Sequence, residues 1–153
     1  MNSPETRGQI LGELAKAIQM QSQAEAVKEL ANKILADYES NDIDLRITRG
    51  PITGVVTAQV VDPLSRHRFL PGDILVSEAG VEVDGEVGWG MCFGNDRAGA
   101  LAIAICDAEI ARDRRFASEV RSLATECASA RAKQRESDFE NLRPTIVEFE
   151  EIS

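Results

Sequence analysis

The chain has 153 residues, the size of one ordinary domain. Its 43% hydrophobic residues allow a buried core, which must be mostly aliphatic because there are only five Phe, one Trp and one Tyr. With 17 basic and 26 acidic side chains, the net charge of −9 argues against proteins that bind nucleic acid or an anionic membrane, since both are negatively charged.

The first forty residues predict two amphipathic helices. Ser3 suits the N-cap and Pro4 the first helical position, and the apolar residues of Ile10–Ile18 then fall on one helical face. Ser22-Gln-Ala-Glu25 has the capping-box pattern and predicts the start of a second helix, with an apolar stripe over Val27–Tyr38. Two short helices in succession indicate a helical hairpin.

After Asp42 the hydrophobic period changes to two, which indicates strands. Within Ile43–Ile47, apolar side chains alternate with polar ones. Gly50-Pro51 predicts a break in the chain, and the Val- and Thr-rich stretch Ile52–Asp62 predicts a second strand.

Three further strands follow, each bounded by turn residues. A short strand is predicted over Arg66–Phe69, and Pro71-Gly72 fits a type II turn because glycine accepts positive φ after proline. Asp73–Val83 predicts the next strand, and Asp84-Gly85 is a strong hairpin signal leading into Glu86–Phe93. The expected sheet is an antiparallel meander.

Two helices complete the predicted domain. Asn95 or Asp96 caps a helix that is apolar almost all round over Ala98–Ala108, which is typical of a buried helix. A longer and more polar helix is expected over residues 114–138. The sequence therefore predicts one α+β domain over residues 1–153, with an N-terminal helical hairpin, an antiparallel β-meander of four to five strands, a buried helix plus a long helix, and a C-terminal strand-like tail.

The spacing Gly88-x-Gly90-x-x-x-Gly94 raises the question of a phosphate-binding loop. It matches neither the dinucleotide fingerprint nor the Lys-Ser/Thr loop, and no lysine occurs between Lys33 and Lys133. Alternation explains it better, because the bulky residues around Trp89 point to one side of a strand and the glycines to the other. The bare glycine face predicts close packing of the Ala-rich helix.

Few residues suggest a catalytic or ligand-binding role. His67 is the single histidine, and it lies between Arg66 and Arg68 in what is expected to be a solvated strand. Asp73 follows a turn. Asp107 interrupts the apolar helix and is either a functional acid or a partner for a loop or an arginine.

A second basic cluster, Arg112, Arg114 and Arg115, is either a site for a phosphorylated ligand or an acidic partner, or an exposed helix end. The acidic tail alternates from Thr145 and can add a strand to its own sheet or to a partner's. Among aromatic residues, Trp89 and Phe149 are the expected interface side chains. The possible interface residues are thus Trp89, Arg112, Arg115 and Phe149.

The expected compartment is the cytoplasm. The segment Met1–Arg7 lacks the order of a signal peptide, and the longest apolar run, near Ala98–Cys106, is too short to span a bilayer. Cys92, Cys106 and Cys127 are odd in number and widely spaced, without a Cys-x-x-Cys pair. They are expected to be reduced, buried thiols.

The middle of the chain resembles the PhnG family, the G subunit of the bacterial carbon–phosphorus lyase core complex. The similarity lies in Arg68-Phe-x-x-Gly-Asp73, Val83-Asp-Gly-Glu-Val-Gly88 and Gly94-x-Asp96-x-x-x-Ala100-x-x-x-Ala104-x-x-Asp107-Ala108, and more loosely in the two-helix start and the tail from Arg143 to Phe149. The family commonly has an acidic residue at the position of His67 and often an arginine at that of Asn95.

The resemblance implies a non-catalytic, interaction role in phosphonate catabolism. The complex is linked to ribose 1-phosphonate 5-triphosphate synthesis from ATP and a phosphonate with release of adenine, and its catalytic groups and iron–sulfur chemistry are assigned to other subunits. On this reading the chain has no cofactor of its own and binds the other core subunits. Isolated, it is expected to self-associate.

Two alternatives remain at the level of sequence. The first is an independent binder of a phosphorylated ligand that uses the clusters at residues 66–68 and 112–115. The second is a regulatory acidic protein with a basic partner, which only the net charge supports. Co-purification with partners, against stabilisation of the isolated chain by ATP or phosphonates, separates the subunit from the binder.

Overall fold

A computed structural model of the protein describes residues 4–143. They form four helices and three strands: α1 Pro4–Ala17, α2 Gln21–Ser40, β1 Leu45–Val61, β2 Arg68–Val83, β3 Glu86–Phe93, α3 Arg97–Ala111 and α4 Ala117–Leu142. None of these helices combines the length and the apolar character needed to cross a bilayer. The predicted C-terminal strand, including Phe149, lies outside the described residues.

The two predicted N-terminal helices are confirmed, but the second begins earlier than its capping box indicates. The carbonyl of Met20 accepts hydrogen bonds from the amides of Gln23 and Ala24, at 2.9 and 2.8 Å. Met20 therefore occupies the N-cap position without a side-chain cap, and Ser22 falls inside the first turn. α1 packs mainly against α3 and α4.

The described residues contain one antiparallel sheet in the order β1-β2-β3, with three strands instead of the predicted four to five. The break expected at Gly50-Pro51 is a bulge within β1, marked by register shifts between Ile47 and Ile52. Proline is tolerated there because β1 is an edge strand that needs no amide on its free side. Pro71-Gly72 likewise lies inside β2, where Gly72 adopts a φ of 150° and pairs with Ala58.

The predicted Asp84-Gly85 hairpin is confirmed. Both residues have positive φ, 49° and 82°, as a two-residue turn matched to the strand twist requires. From this turn β3 pairs with β2 only as far as Val76, opposite Phe93. The rest of the β1–β2 ribbon, residues 55–75, extends past the end of β3, and we call it the arm.

The glycine face of β3 receives α3, as predicted. A Cβ atom added to Gly88 would lie 2.8 Å from the amide nitrogen of Ala108, and one added to Gly90 would lie 2.6 Å from that of Ala104. Both would approach a helix carbonyl oxygen even more closely. The absence of side chains therefore lets helix and strand backbones meet.

α3 is buried from Gly99 to Ile110, apart from the half-buried Leu101, because the sheet lies on one side of it and the other helices on the other. Asp96 is its N-cap and accepts a 2.7 Å hydrogen bond from the Gly99 amide. Lys28 from α2 pairs with the same carboxylate at 2.9 Å. The positive end of this helix is therefore already neutralised from within the chain.

α4 begins three residues after the predicted start and continues beyond the predicted end. Its first half packs on the body through Val120, Ala124 and Cys127, whereas nearly all of its second half is exposed. The buried core of the domain is aliphatic, as composition predicts, and its largest fully buried side chains include Leu14, Ile34, Ile103, Ile105, Ile110, Val27, Val81 and Val83.

Candidate functional site

Within residues 4–143 no helix or strand covers the face of the sheet that points away from α3, and this face carries many exposed apolar side chains. Alternation along β3 places Trp89 and Phe93 on it, with 43% and 50% of their surfaces exposed. By pairing register, further apolar side chains share this side, and we call the set the outer face: Val87, Trp89, Met91, Phe93, Ile52, Val56 and Ile74. An antiparallel sheet with one solvated face normally carries polar residues there.

Two ion pairs between β1 and β2 lie on the same side of the sheet as the outer face. Arg46 pairs with Glu82 at 2.7 Å and Arg49 with Glu78 at 2.6 Å. Because each charge has a partner on the neighbouring strand, this part of the surface is close to neutral. β2 is the central strand, and Glu78 and Glu82 lie opposite Met91 and Val87, so these paired charges lie beside the apolar row of β3. Protein–protein interfaces commonly combine apolar and polar groups in this way.

Asp107 is a structural carboxylate that holds β3 in place. It is buried, accepts a hydrogen bond from the Trp89 amide at 2.8 Å, and pairs with Arg7 of α1, whose Nη2 lies 2.6 Å from Oδ2. Arg7 also donates to the Val87 carbonyl at 2.9 Å. The hydrogen bond to Asp107 raises the pKa of Arg7, so this arginine stays charged. Of the two roles predicted for Asp107, the structure supports the partner for an arginine.

Glu109 is a second buried carboxylate, and sequence analysis missed it. The Tyr38 hydroxyl donates to it at 2.5 Å, the Phe116 amide at 3.1 Å, and the Arg114 guanidinium lies at 3.5 Å. Burial, followed by the hydrogen bond to Glu109, raises the pKa of Tyr38 well above its ordinary value. The available signal was a carboxylate inside an apolar helix, which needs internal partners.

The arginines at 112, 114 and 115 do not converge on one pocket. Arg114 is only 17% exposed in its side chain, pairs with Asp84 at 2.8 Å and lies over the Tyr38 ring. Arg112 lies 3.4 Å from Glu86, and Arg115 pairs with Asp37 of α2. Each guanidinium thus has its own carboxylate partner.

Arg66, His67 and Arg68 lie at the tip of the arm, far from the other basic cluster. Arg68 is the first residue of β2, whereas Arg114 contacts Asp84 in the turn after the last residue of β2. The length of this strand therefore separates the two arginines by about 50 Å at the usual rise per residue. The two clusters therefore cannot hold one small ligand within a single chain. Asp73, also on the arm, is exposed and accepts a 2.9 Å hydrogen bond from Thr57 across the strands.

The three cysteines are free and buried, as predicted. Burial raises the pKa of Cys92 to about 11 and that of Cys106 to about 12, so these thiols are protonated near neutral pH. Within residues 4–143, no three His, Cys, Asp or Glu side chains are grouped so that they could hold a metal ion.

Comparison with known proteins identifies the family. A search of curated proteins returned no match. The family model described as phosphonate metabolism protein PhnG matches residues 6–152, essentially the whole chain. That span contains the outer face, the arm and the close contact between β3 and α3. The chain therefore belongs to the PhnG family of phosphonate metabolism proteins.

Proposed function

We propose that this chain is a non-catalytic interaction subunit of the carbon–phosphorus lyase complex. In that role it supports the transfer of a phosphonate onto the ribose 1-position of ATP, with release of adenine. Membership of a phosphonate metabolism family supports a role of this chain in that metabolism. The observation that carries the interaction role is the uncovered outer face, where Trp89 and Phe93 remain about half exposed.

The buried carboxylates support a structural rather than catalytic role. Asp107 is engaged by Arg7 and the Trp89 amide, and Glu109 by Tyr38 and Phe116. A catalytic acid or base needs access to the proton that it transfers, whereas these groups lie in the core and join elements of the fold. We assign no catalytic, cofactor-binding or metal-binding residue to this chain.

The proposed partners are the other core subunits of the complex, in the cytoplasm. Large aromatic residues in an uncovered apolar patch are typical of the centre of an interface. Trp89 is accordingly the anchor that we propose for the outer face. Arg112 and Arg115, both exposed beyond their ion pairs, stay candidates for separate contacts with a partner, as does Phe149, which lies outside the described residues.

Co-expression with the other core subunits tests this function. We expect the chain to co-purify with them, and adenine release from ATP and methylphosphonate to require the assembly. Trp89→Glu should weaken assembly by about tenfold or more, since a charge would be buried without a partner. Phe139→Glu on the exposed half of α4 is the control, and it should assemble normally. Adenine release by the pure isolated chain would contradict the proposal.

The alternative function, an independent binder of a phosphorylated ligand, has less support. Its two arginine clusters are at opposite ends of β2, and the arginines of one already have carboxylate partners. A thermal shift of the isolated chain with ATP or methylphosphonate that disappears in the Arg66→Ala/Arg68→Ala variant would favour this alternative.

A further inference from the structure

Resting on the proposed function of this chain as a complex subunit, we propose that the arm, residues 55–75, inserts into an apolar cleft of another protein subunit. Carboxylates at the far end of that cleft would meet Arg66 and Arg68 at the arm's tip. The occupant is thus a different chain whose cleft is apolar along its walls and acidic at its end.

The arm has solvent on both faces. β3 pairs with β2 only between Val76 and Val83, so residues 55–75 form a ribbon of two strands that no third strand extends within residues 4–143. No residue of the arm is buried, and within it only Ala58 and Asp62 are partly covered. Because a two-stranded ribbon is marginally stable in water, a surface that encloses it would stabilise it.

The exposed surface of the arm is apolar to an unusual extent. Nine large hydrophobic residues of the arm are between 38% and 93% exposed: Val55, Val56, Val60, Val61, Leu64, Phe69, Leu70, Ile74 and Leu75. With ordinary residue areas they present roughly 900 Å² of apolar surface, summed over the two faces of the ribbon. This area is close to the roughly 800 Å² that each partner buries in a standard interface.

The arm's carboxylates are used within the arm, whereas its arginines are not. Asp62 accepts hydrogen bonds from the Leu64 amide at 2.9 Å and the Ser65 hydroxyl at 2.7 Å, and Asp73 accepts one from Thr57. Within residues 4–143 no ion pair joins Arg66 or Arg68 to a carboxylate. The tip of the arm therefore carries a local excess of positive charge, although the whole chain has a net charge of −9.

A second copy of this chain fits the arm less well than a different subunit. Two arms packed in parallel would bring their basic tips together. Packed antiparallel, each tip would lie beside the base of the other arm, where Arg97 donates to Thr53 at 3.2 Å and adds another cation. The net charge of −9 on each copy adds long-range repulsion. We therefore assign the complementary carboxylates to another chain.

Hydrogen exchange on the full chain, alone and assembled with the other core subunits, tests the inference directly. We expect the amides of residues 55–61 and 68–75 to exchange quickly in the isolated chain, because no further layer covers their ribbon. In the assembly these amides should become protected by about tenfold or more. Residues 133–142 of α4, which are also exposed, provide the internal reference.

A pair of matched variants provides a second, independent test. Leu70 and Phe139 are both 63% exposed, so Leu70→Glu and Phe139→Glu make comparable surface changes in the arm and in α4. Leu70→Glu should weaken assembly by about tenfold or more, and Phe139→Glu by less than about twofold. The Arg66→Glu/Arg68→Glu variant should also weaken assembly, more strongly at low salt. Circular dichroism of each isolated variant verifies folding.

The outcomes separate this inference from the proposed function. If the unmodified chain does not assemble with the other subunits, both are overturned. If it assembles but Leu70→Glu assembles equally well and the arm amides stay unprotected, the arm inference alone is wrong. A homodimer of the isolated chain that Leu70→Glu abolishes would assign the arm to a second copy and would also overturn it.

Discussion

Replacing Gly90 by alanine tests the close contact between β3 and α3. The new methyl carbon would lie 2.6 Å from the Ala104 nitrogen, and closer still to the Ala100 carbonyl oxygen, where nonbonded atoms ordinarily meet at roughly 3.5 Å. The obstacle is helix backbone, which cannot rotate away as a side chain would. α3 must therefore move about 1 Å from the sheet, while the other helices pack on its opposite side.

The expected loss of stability follows from two opposing effects. Overpacking of a well-packed core costs about 1–3 kcal/mol, and a backbone obstacle places Gly90→Ala at the upper end. Replacing glycine also restricts the unfolded chain, which offsets about 0.4–1 kcal/mol. The free energy of unfolding should fall by about 2 kcal/mol, which lowers Tm by about 4–8 °C in a domain of this size.

Urea and thermal unfolding followed by circular dichroism measure the change. Gly54→Ala is the matched control, because Gly54 also lies in a strand, has no atom within 4 Å of the added Cβ, and does not have positive φ. It should leave stability unchanged or raise it by up to about 1 kcal/mol. Equal Tm values for the two variants would refute the close contact.

The remaining predictions concern buried polar groups. Asp107→Ala should lower the free energy of unfolding by about 2–3 kcal/mol, because its arginine partner and a strand amide lose their acceptor, whereas the exposed Asp73→Ala should stay within about 0.5 kcal/mol. Because burial and a carboxylate partner raise the pKa of Tyr38, its contribution to stability is present below about pH 10 and is lost as pH rises further. The ultraviolet absorbance of this single tyrosine should therefore report tyrosinate only together with unfolding, and a normal titration in the folded chain would contradict its burial. With the pKa of Cys92 and Cys106 raised to about 11 and about 12, alkylation at pH 8 should follow unfolding, and rapid labelling of native protein would show open access instead.

Local sequence signals predicted the structure where one residue type alone fits the geometry. Asp84-Gly85 accepts the positive φ of a tight turn, and Gly88 with Gly90 leaves room for a helix backbone. The strand count was less predictable. Proline and glycine at 50–51 and 71–72 predicted breaks, but a ribbon with a free edge absorbs them as bulges because its backbone groups there face solvent.

The part of the candidate site that depends on the alternation of side chains along β3 was predictable from the sequence. The pattern around Trp89 placed it opposite the glycines, which the sheet confirms. The partners of Glu109 were not predictable, because Tyr38 lies 71 residues away and meets it only after α2 and α3 pack. For the same reason, spacing alone grouped three arginines that the fold directs to separate carboxylates.

The hydrogen bonds that occupy the Val87 carbonyl and the Trp89 amide have a consequence for sheet growth. β3 is an edge strand, yet Arg7 and Asp107 already bind two of its backbone groups. An incoming strand cannot pair with these two groups, whereas β1 and residues 68–75 of β2 have no further strand beside them within residues 4–143. The two contacts therefore protect this stretch of β3 against edge-to-edge addition of another sheet, which is one route by which β proteins aggregate.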